Sequence, residues 1–255
     1  MEVNPPSREP RAPSQATAYE APPSRASPDL DECADRIQNG EGLPASGSDR
    51  ALYEKALATQ RAGNLADARR NYFELIQQTP GSRFIPLAYL AFGDLFRERA
   101  KKEPAIASLA LQAYRKVTSF PPPANTAYAY ALLRMAETQA EAAPKPALEA
   151  YLRAAKAAVD SPCPDALGQA ARAGMVQAYV HVGRPERAWA LFRRAAPDDR
   201  TAADQLATLA DKYNAAGRAA DGCKAVRAAS DAAVHASERL ETAASGCRNS
   251  PQPQP

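Results

Sequence analysis

The stretch AARAGMVQAYVHVGRPERAWALFRRAAPD, residues 170–198, decides the fold. Its residue pattern recurs thirty-four residues further along the chain. The positions of Tyr179, Gly183, Ala188 and Phe192 correspond there to Tyr213, Gly217, Gly222 and Val226. A register kept over four positions is typical of stacked helix pairs, each of which buries its apolar face only against its neighbours. The sequence therefore predicts an all-α protein built from repeats.

Residues 170–198 resemble the tetratricopeptide repeat (TPR). In this family a first helix carries a large apolar residue, a small residue and an aromatic, and a second helix carries a small residue and an aromatic after a turn with glycine. The matching residues are Met175, Val176, Tyr179, Gly183, Ala188, Phe192 and Ala195. Only Val176 departs from the family pattern, which prefers a smaller residue there.

Four further copies of the pattern are recognised. Residues 51–81 form the second strong match, with Leu52, Ala56, Gly63, Ala68, Tyr72 and Pro80. Two distorted copies lie between the strong ones, with Phe92, Gly93, Phe96, Ala110 and Tyr114 in the first and Met135, Ala136, Ala147 and Tyr151 in the second. The fifth runs over about 203–231, and a helix through Glu238 and Leu240 follows it. The resemblance implies a right-handed α-solenoid of about five helix pairs with a capping helix.

Composition separates the body of the chain from its two ends. Alanine, the best helix former, makes up nearly a quarter of the residues, and 32 basic side chains nearly cancel 29 acidic ones. We therefore expect a helical body over 48–246 with a thin core. Residues 1–47 are rich in proline and residues 1–50 carry net charge −4, so the sequence predicts a disordered acidic arm over 1–47 and a disordered tail over 247–255.

The compartment follows from two signals that point in different directions. No run of about 18 apolar residues is present, and the start lacks the basic-then-apolar pattern of a signal peptide, which favours the cytoplasm. The even number of cysteines, and a proline-rich tether before the body, favour an exported, periplasmic protein. A Cys223–Cys247 disulfide would clamp the fifth repeat and contribute about 3 kcal/mol, although both residues could equally be small packing residues. Cys33 could join Cys163, one of three possible connectivities.

No catalytic or cofactor motif is present in the sequence. His181 and His235 lack a neighbouring nucleophile with a paired carboxylate, the glycines form no phosphate-binding loop, and the cysteine spacings fit no zinc site. The sequence thus predicts a protein that is not an enzyme and has no cofactor and no metal. Basic side chains are interleaved with acidic ones, which is typical of a solvated helical surface rather than a nucleic-acid platform.

In the TPR family a partner segment lies in a concave groove lined by the first helices. The resemblance places the partner-binding groove at Tyr53, Leu57, Leu90, Asp94, Leu133, Glu137, Gln177 and Asp211. Apolar and acidic lining predicts a protein partner with apolar anchors and basic residues. The composition resembles that of TPR proteins of the bacterial cell envelope, which act in assembly, trafficking or motility. Two alternatives stay open: a cytoplasmic TPR module that regulates or is appended to an enzyme, and a nucleic-acid binder.

Overall fold

The computed structural model describes residues 28–229 and 234–249, and within those ranges it contains helices, turns and no strand. The α-helices are α1 (Pro28–Gln38), α2 (Ser48–Arg61), α3 (Leu65–Gln78), α4 (Ile85–Ala100), α5 (Ala107–Val117), α6 (Tyr128–Gln139), α7 (Pro144–Ala157), α8 (Pro164–Val182), α9 (Ala188–Ala195), α10 (Asp199–Ala215), α11 (Ala219–Arg227) and α12 (Glu238–Asn249). The all-α prediction is confirmed. None of the helices in these ranges is long and apolar enough to cross a membrane.

Helices α2 to α11 pack mainly against helices that are close to them along the chain. The most extensive contacts join α2 to α3, α4 to α5, α6 to α7, α7 to α8 and α10 to α11. Helix α12 packs on α10 and α11 with Leu240 fully buried, as expected for a helix that follows the fifth repeat. The core is thin: alanines fill the helix crossings, and the largest fully buried side chains include Tyr53, Tyr72, Tyr114, Tyr130 and Tyr213.

The helix crossing between α4 and α5 requires glycine at position 93. A methyl group added to Gly93 would collide with the ring of Tyr114, which is fully buried. The ring cannot move away easily, because its hydroxyl donates a 2.7 Å hydrogen bond to Asp94. A small residue in the first helix thus permits the close approach of an aromatic from the second, which is the physical basis of the sequence pattern.

Replacing Gly93 with alanine should lower the free energy of unfolding by about 3 kcal/mol, since overpacking outweighs the gain in helix propensity. Gly246→Ala is the matched control, because Gly246 also lies within a helix but an added methyl group would meet no atom of another described element within 4 Å. There alanine should be neutral or stabilising by up to about 1 kcal/mol. Urea unfolding followed by circular dichroism measures both changes. Equal effects at the two positions would contradict the close-packing assignment.

Two predicted boundaries are corrected by the structure. Residues 28–47 do not belong to a disordered arm, since 28–38 form α1 and the turns that follow pack on the body. The C-terminal tail does not begin at 247 either, because α12 continues to Asn249 and Cys247 is buried. The remaining parts of the predicted arm and tail, residues 1–27 and 250–255, lie outside the described residues.

Candidate functional site

The four apolar residues assigned to the groove lie in the hydrophobic core. Tyr53, Leu57, Leu90 and Leu133 are each at most 5% exposed. In this conformation they offer no exposed surface to a second protein, because the chain itself encloses them, and their role in a partner-binding groove stays a prediction. The sequence pattern identified one helical face correctly as apolar, but that face meets neighbouring helices rather than a ligand.

Asp94 and Glu137, the two acidic groove residues on α4 and α6, come together in a charged cluster. The inner cluster, as we call it, consists of Asp94, Arg97, Tyr114, Tyr130, Arg134 and Glu137. Arg134 donates to Glu137 over 2.7 Å and to the hydroxyl of Tyr130, and Arg97 reaches the same Glu137 oxygen over 3.3 Å. The structure thus unites two sequence-predicted residues, but through arginines that the sequence analysis did not assign to the site.

The inner cluster is a largely buried group of opposite charges. Burial raises the pKa of Asp94 although Arg134, Arg97 and the Tyr114 hydroxyl favour its charged form. Burial likewise raises the pKa of Tyr130 to about 12. The negative charges of two carboxylates balance the positive charges of two guanidinium groups, and each carboxylate accepts an internal hydrogen bond, whereas the buried Nε of Arg134 has no partner among the described residues. The inner cluster therefore links α4 to α6, and removing one of its charges would leave another buried without compensation.

The other two predicted groove residues, Gln177 on α8 and Asp211 on α10, remain closer to solvent. Gln177 is half-buried, and its Oε1 has no hydrogen-bond partner among the described residues. The Oε1 of Gln205, a buried residue of α10, also has no hydrogen-bond partner among the described residues. Asp211 is exposed and forms a 3.1 Å ion pair with Arg239 of α12. Because α8 packs on α10, these unsatisfied amide oxygens lie on two adjoining helices.

The histidines and cysteines of the described part form no catalytic constellation. His235 pairs with Glu241 over 2.7 Å near the start of α12, whereas His181 lies in the last turn of α8. Burial and the charge of Arg218 lower the pKa of His181. Within 28–229 and 234–249 no group of three His, Cys, Asp or Glu could hold a metal ion, and no cysteine is free.

The four cysteines form two pairs at disulfide distance. Cys223 on α11 and Cys247 on α12 have Cα atoms 5.4 Å apart, as in the pairing considered from their spacing. Cys33 on α1 and Cys163, immediately before α8, have Cα atoms 5.8 Å apart. Of the connectivities left open by the sequence, the structure selects this one. The Cys33–Cys163 pair attaches the N-terminal segment to the start of α8, across a sequence separation of 130 residues.

A segment that the sequence analysis assigned to the disordered arm is thus part of the structure. We call residues 28–44 the strap. Its helix α1 packs on α8, and its C-terminal end lies on α2, where the hydroxyl of Tyr53 donates to the carbonyl of Gln38 over 2.6 Å. Arg61 donates to the side chain of Asn39 over 3.0 Å. The strap therefore contacts both α2 and α8.

A local signal could have identified α1. Leu30, Cys33 and Ile37 recur at helical spacing, and aspartates at 29 and 31 favour the N-terminus of a helix that begins at Pro28. The surrounding prolines obscured this short apolar period.

No protein-family model matches the chain, and no curated protein or solved structure is significantly similar to it.

Proposed function

We propose that the chain is a non-enzymatic adaptor whose helix pairs stack as TPR-like repeats in a right-handed solenoid, and that it holds a segment of a partner protein. The observation that carries this proposal is the packing of successive helices on their chain neighbours, with close approaches at small residues such as Gly93 against Tyr114. Stacked helix pairs offer extended surfaces formed by several repeats, which is how such folds bind proteins.

The adjoining surfaces of α8 and α10 are the part of the groove that fits a partner segment best. The Oε1 atoms of Gln177 and Gln205 are buried without a hydrogen-bond partner among the described residues, so a partner's backbone N–H would reach them only if α8 and α10 move slightly apart, which would remove the cost of leaving them unsatisfied. The exposed carboxylate of Asp211 lies on α10 and favours a basic side chain. The basic residues of the proposed partner segment would therefore pair with α10 rather than with Asp94 and Glu137, whereas its apolar anchors are retained from the resemblance to the TPR family.

The proposed compartment is oxidising, and more specifically the periplasm of a bacterium. Two cysteine pairs at disulfide distance support export, because disulfides persist in such compartments and are rare in the cytosol. The process would be assembly, trafficking or motility at the cell envelope. A cytoplasmic module that regulates an enzyme is the alternative, and four free thiols in the native chain would favour it.

Nucleic-acid binding receives less support from the structure. The densest basic run of the sequence lies at the end of α4, where Arg97, Arg99 and Lys101 each pair with a carboxylate of the same chain. Internal pairing reduces the number of cations that could release counterions from a phosphate backbone.

Site-specific photo-crosslinking in fractionated cells tests the proposed function. A crosslinker at position 177 should capture the same envelope protein as one at position 211. A crosslinker at Arg193, an exposed residue of α9, should not capture it. The non-reduced mass of the native chain should be lower by the four hydrogens that two disulfides remove. Equal capture from all three positions, or no capture from 177 and 211, would contradict the proposed surface.

A further inference from the structure

The strap is an exception to the packing order of the chain. Whereas the other helices pack mainly on helices close to them in sequence, α1 packs on α8, which begins 136 positions after α1 does. It is also attached by one face only. Leu30, Cys33 and Ile37 are 5%, 1% and 0% exposed. The opposite face carries Asp29, Asp31, Glu32 and Asp35, all exposed.

The C-terminal part of the strap closely follows the surface of the body. Gly40 has a φ of 72° and lies against the ring of Phe84, so that a Cβ atom there would be 3.0 Å from the ring. Gly42 passes Thr126, and the carbonyl of Pro44 accepts a 3.0 Å hydrogen bond from Arg50. The surface beneath the strap is thus formed by one side of α2, from Arg50 to Arg61, and by residues near the starts of α4, α6 and α8.

From these contacts we propose that the surface beneath the strap is a helix-binding site whose occupant depends on the Cys33–Cys163 pair. While the pair is a disulfide, α1 occupies the site. When the pair is reduced, the site binds an amphipathic helix of a partner protein with apolar residues spaced by three and four positions, as in α1. This inference rests on the proposed scaffold function and adds a second binding surface with its own regulation.

The chemistry of helix recognition supports this choice of occupant. Apolar side chains spaced by three and four residues lie on one face of a helix and are the usual anchors of a helix held in a groove. Cys33 lies at the centre of the apolar face of α1, so a bond to Cys163 holds this face against the surface beneath the strap. Without this bond α1 is held by Leu30, Ile37 and the contacts of residues 38–44, all of which are non-covalent.

The redox step is a thiol–disulfide exchange with a dithiol. One thiolate of the dithiol attacks Cys163 Sγ, which belongs to the more exposed residue of the pair, and Cys33 leaves as a thiolate that takes up a proton. The second thiol of the reductant then displaces Cys163 from the mixed disulfide. The dithiol ends as a disulfide and supplies two electrons and two protons, while Cys33 and Cys163 end as thiols.

Amide hydrogen exchange provides the first test. The full chain with C223A and C247A retains Cys33–Cys163 as its reducible pair. After reduction by dithiothreitol, residues 30–38 should exchange at least about tenfold faster than the amides of α2 to α10, although the body also loses protection as the free energy of unfolding falls. Equal protection of residues 30–38 and the body in the reduced chain would overturn the proposal, because α1 would then open only together with the core. No change in residues 30–38 would overturn it as well.

A peptide in trans tests occupancy directly. The probe is a fluorescent peptide of residues 28–44 with serine at position 33. The full-length variant C33A/C163A/L30A/I37A carries a strap that cannot compete for the site. This variant should bind the peptide at least about tenfold more tightly than the oxidised wild-type chain does, because a tethered native strap acts at millimolar effective concentration. A peptide with L30A and I37A is the matched control and should not bind.

Failure of the peptide to bind the variant, when circular dichroism shows the variant to be helical, would overturn the helix-binding site. If the variant is unfolded, the exchange experiment on the oxidised and reduced chain decides. Neither result affects capture at positions 177 and 211, so the strap and the scaffold function are tested separately.

Discussion

Replacing Cys33 and Cys163 with alanine should lower the free energy of unfolding by up to about 5 kcal/mol, the largest change expected for this chain. The pair closes a loop with a sequence separation of 130 residues, so its removal returns a large conformational entropy to the unfolded chain. Alanine keeps the site apolar, which matters because Cys33 and Cys163 are both buried.

The second cysteine pair is the matched control for this prediction. Cys223 and Cys247 are separated by 24 residues, and their replacement with alanine should cost about 3 kcal/mol by the same loop argument. Urea unfolding followed by circular dichroism, on the oxidised chain and on both double variants, ranks the two pairs. A larger loss from removing Cys223–Cys247 would contradict the entropic explanation. Detection of free thiols in the wild-type chain, with no reductant added, would contradict the pairing itself.

Arg134→Met should lower the free energy of unfolding by about 3–5 kcal/mol, because it removes the principal cation from a buried charge network. The side chain of Arg134 is 11% exposed and that of its partner Glu137 is 20% exposed. Methionine preserves much of the arginine volume, so the loss reports on charge more than on a cavity. Arg97 lies 3.3 Å from the same carboxylate and can compensate only in part.

Arg70→Met provides the control for the Arg134 prediction. Arg70 and Asp67 are also three residues apart on one helix, but their side chains are 78% and 58% exposed. Removal of this surface pair should change stability by no more than about 0.5 kcal/mol. Adding Glu137→Gln to Arg134→Met should recover part of the loss, since it removes the carboxylate that was left unpaired. Failure of the second change to recover stability would contradict the network.

The cost of Arg134→Met should also depend on pH, with a defined sign. Without the guanidinium the folded-state pKa of Asp94, already raised by burial, rises further above its unfolded value. A carboxyl of this kind binds its proton more readily in the folded state, so stability increases as pH falls through the folded pKa toward the unfolded pKa. The deficit of the variant should therefore be largest near pH 7 and shrink toward about pH 4.5. A deficit that grows on acidification would contradict the burial of Asp94.

Local sequence patterns were sufficient to predict the helical class and the position of most turns. The helix propensity of alanine is intrinsic to the residue, and the recurrence of small and aromatic residues reflects contacts between consecutive helices, such as Gly93 of α4 with Tyr114 of α5. The same patterns could not distinguish a core face from a binding face. Leu90 and Leu133 satisfy the apolar requirement of both, and only their enclosure by other helices identifies them as core residues.

The sequence by itself determined an all-helical chain, a thin core rich in alanine, the separation of a body from its ends, and the presence of four cysteines. Tertiary structure decided which cysteines meet, that residues 28–44 form a strap, and that Asp94 and Glu137 both lie within the field of Arg134. The physical reason is sequence separation. Helix formation and the packing of consecutive helices are local and produce a periodic pattern in the sequence. Contacts between residues 40 or 130 positions apart depend on the path of the whole chain and produce no such pattern.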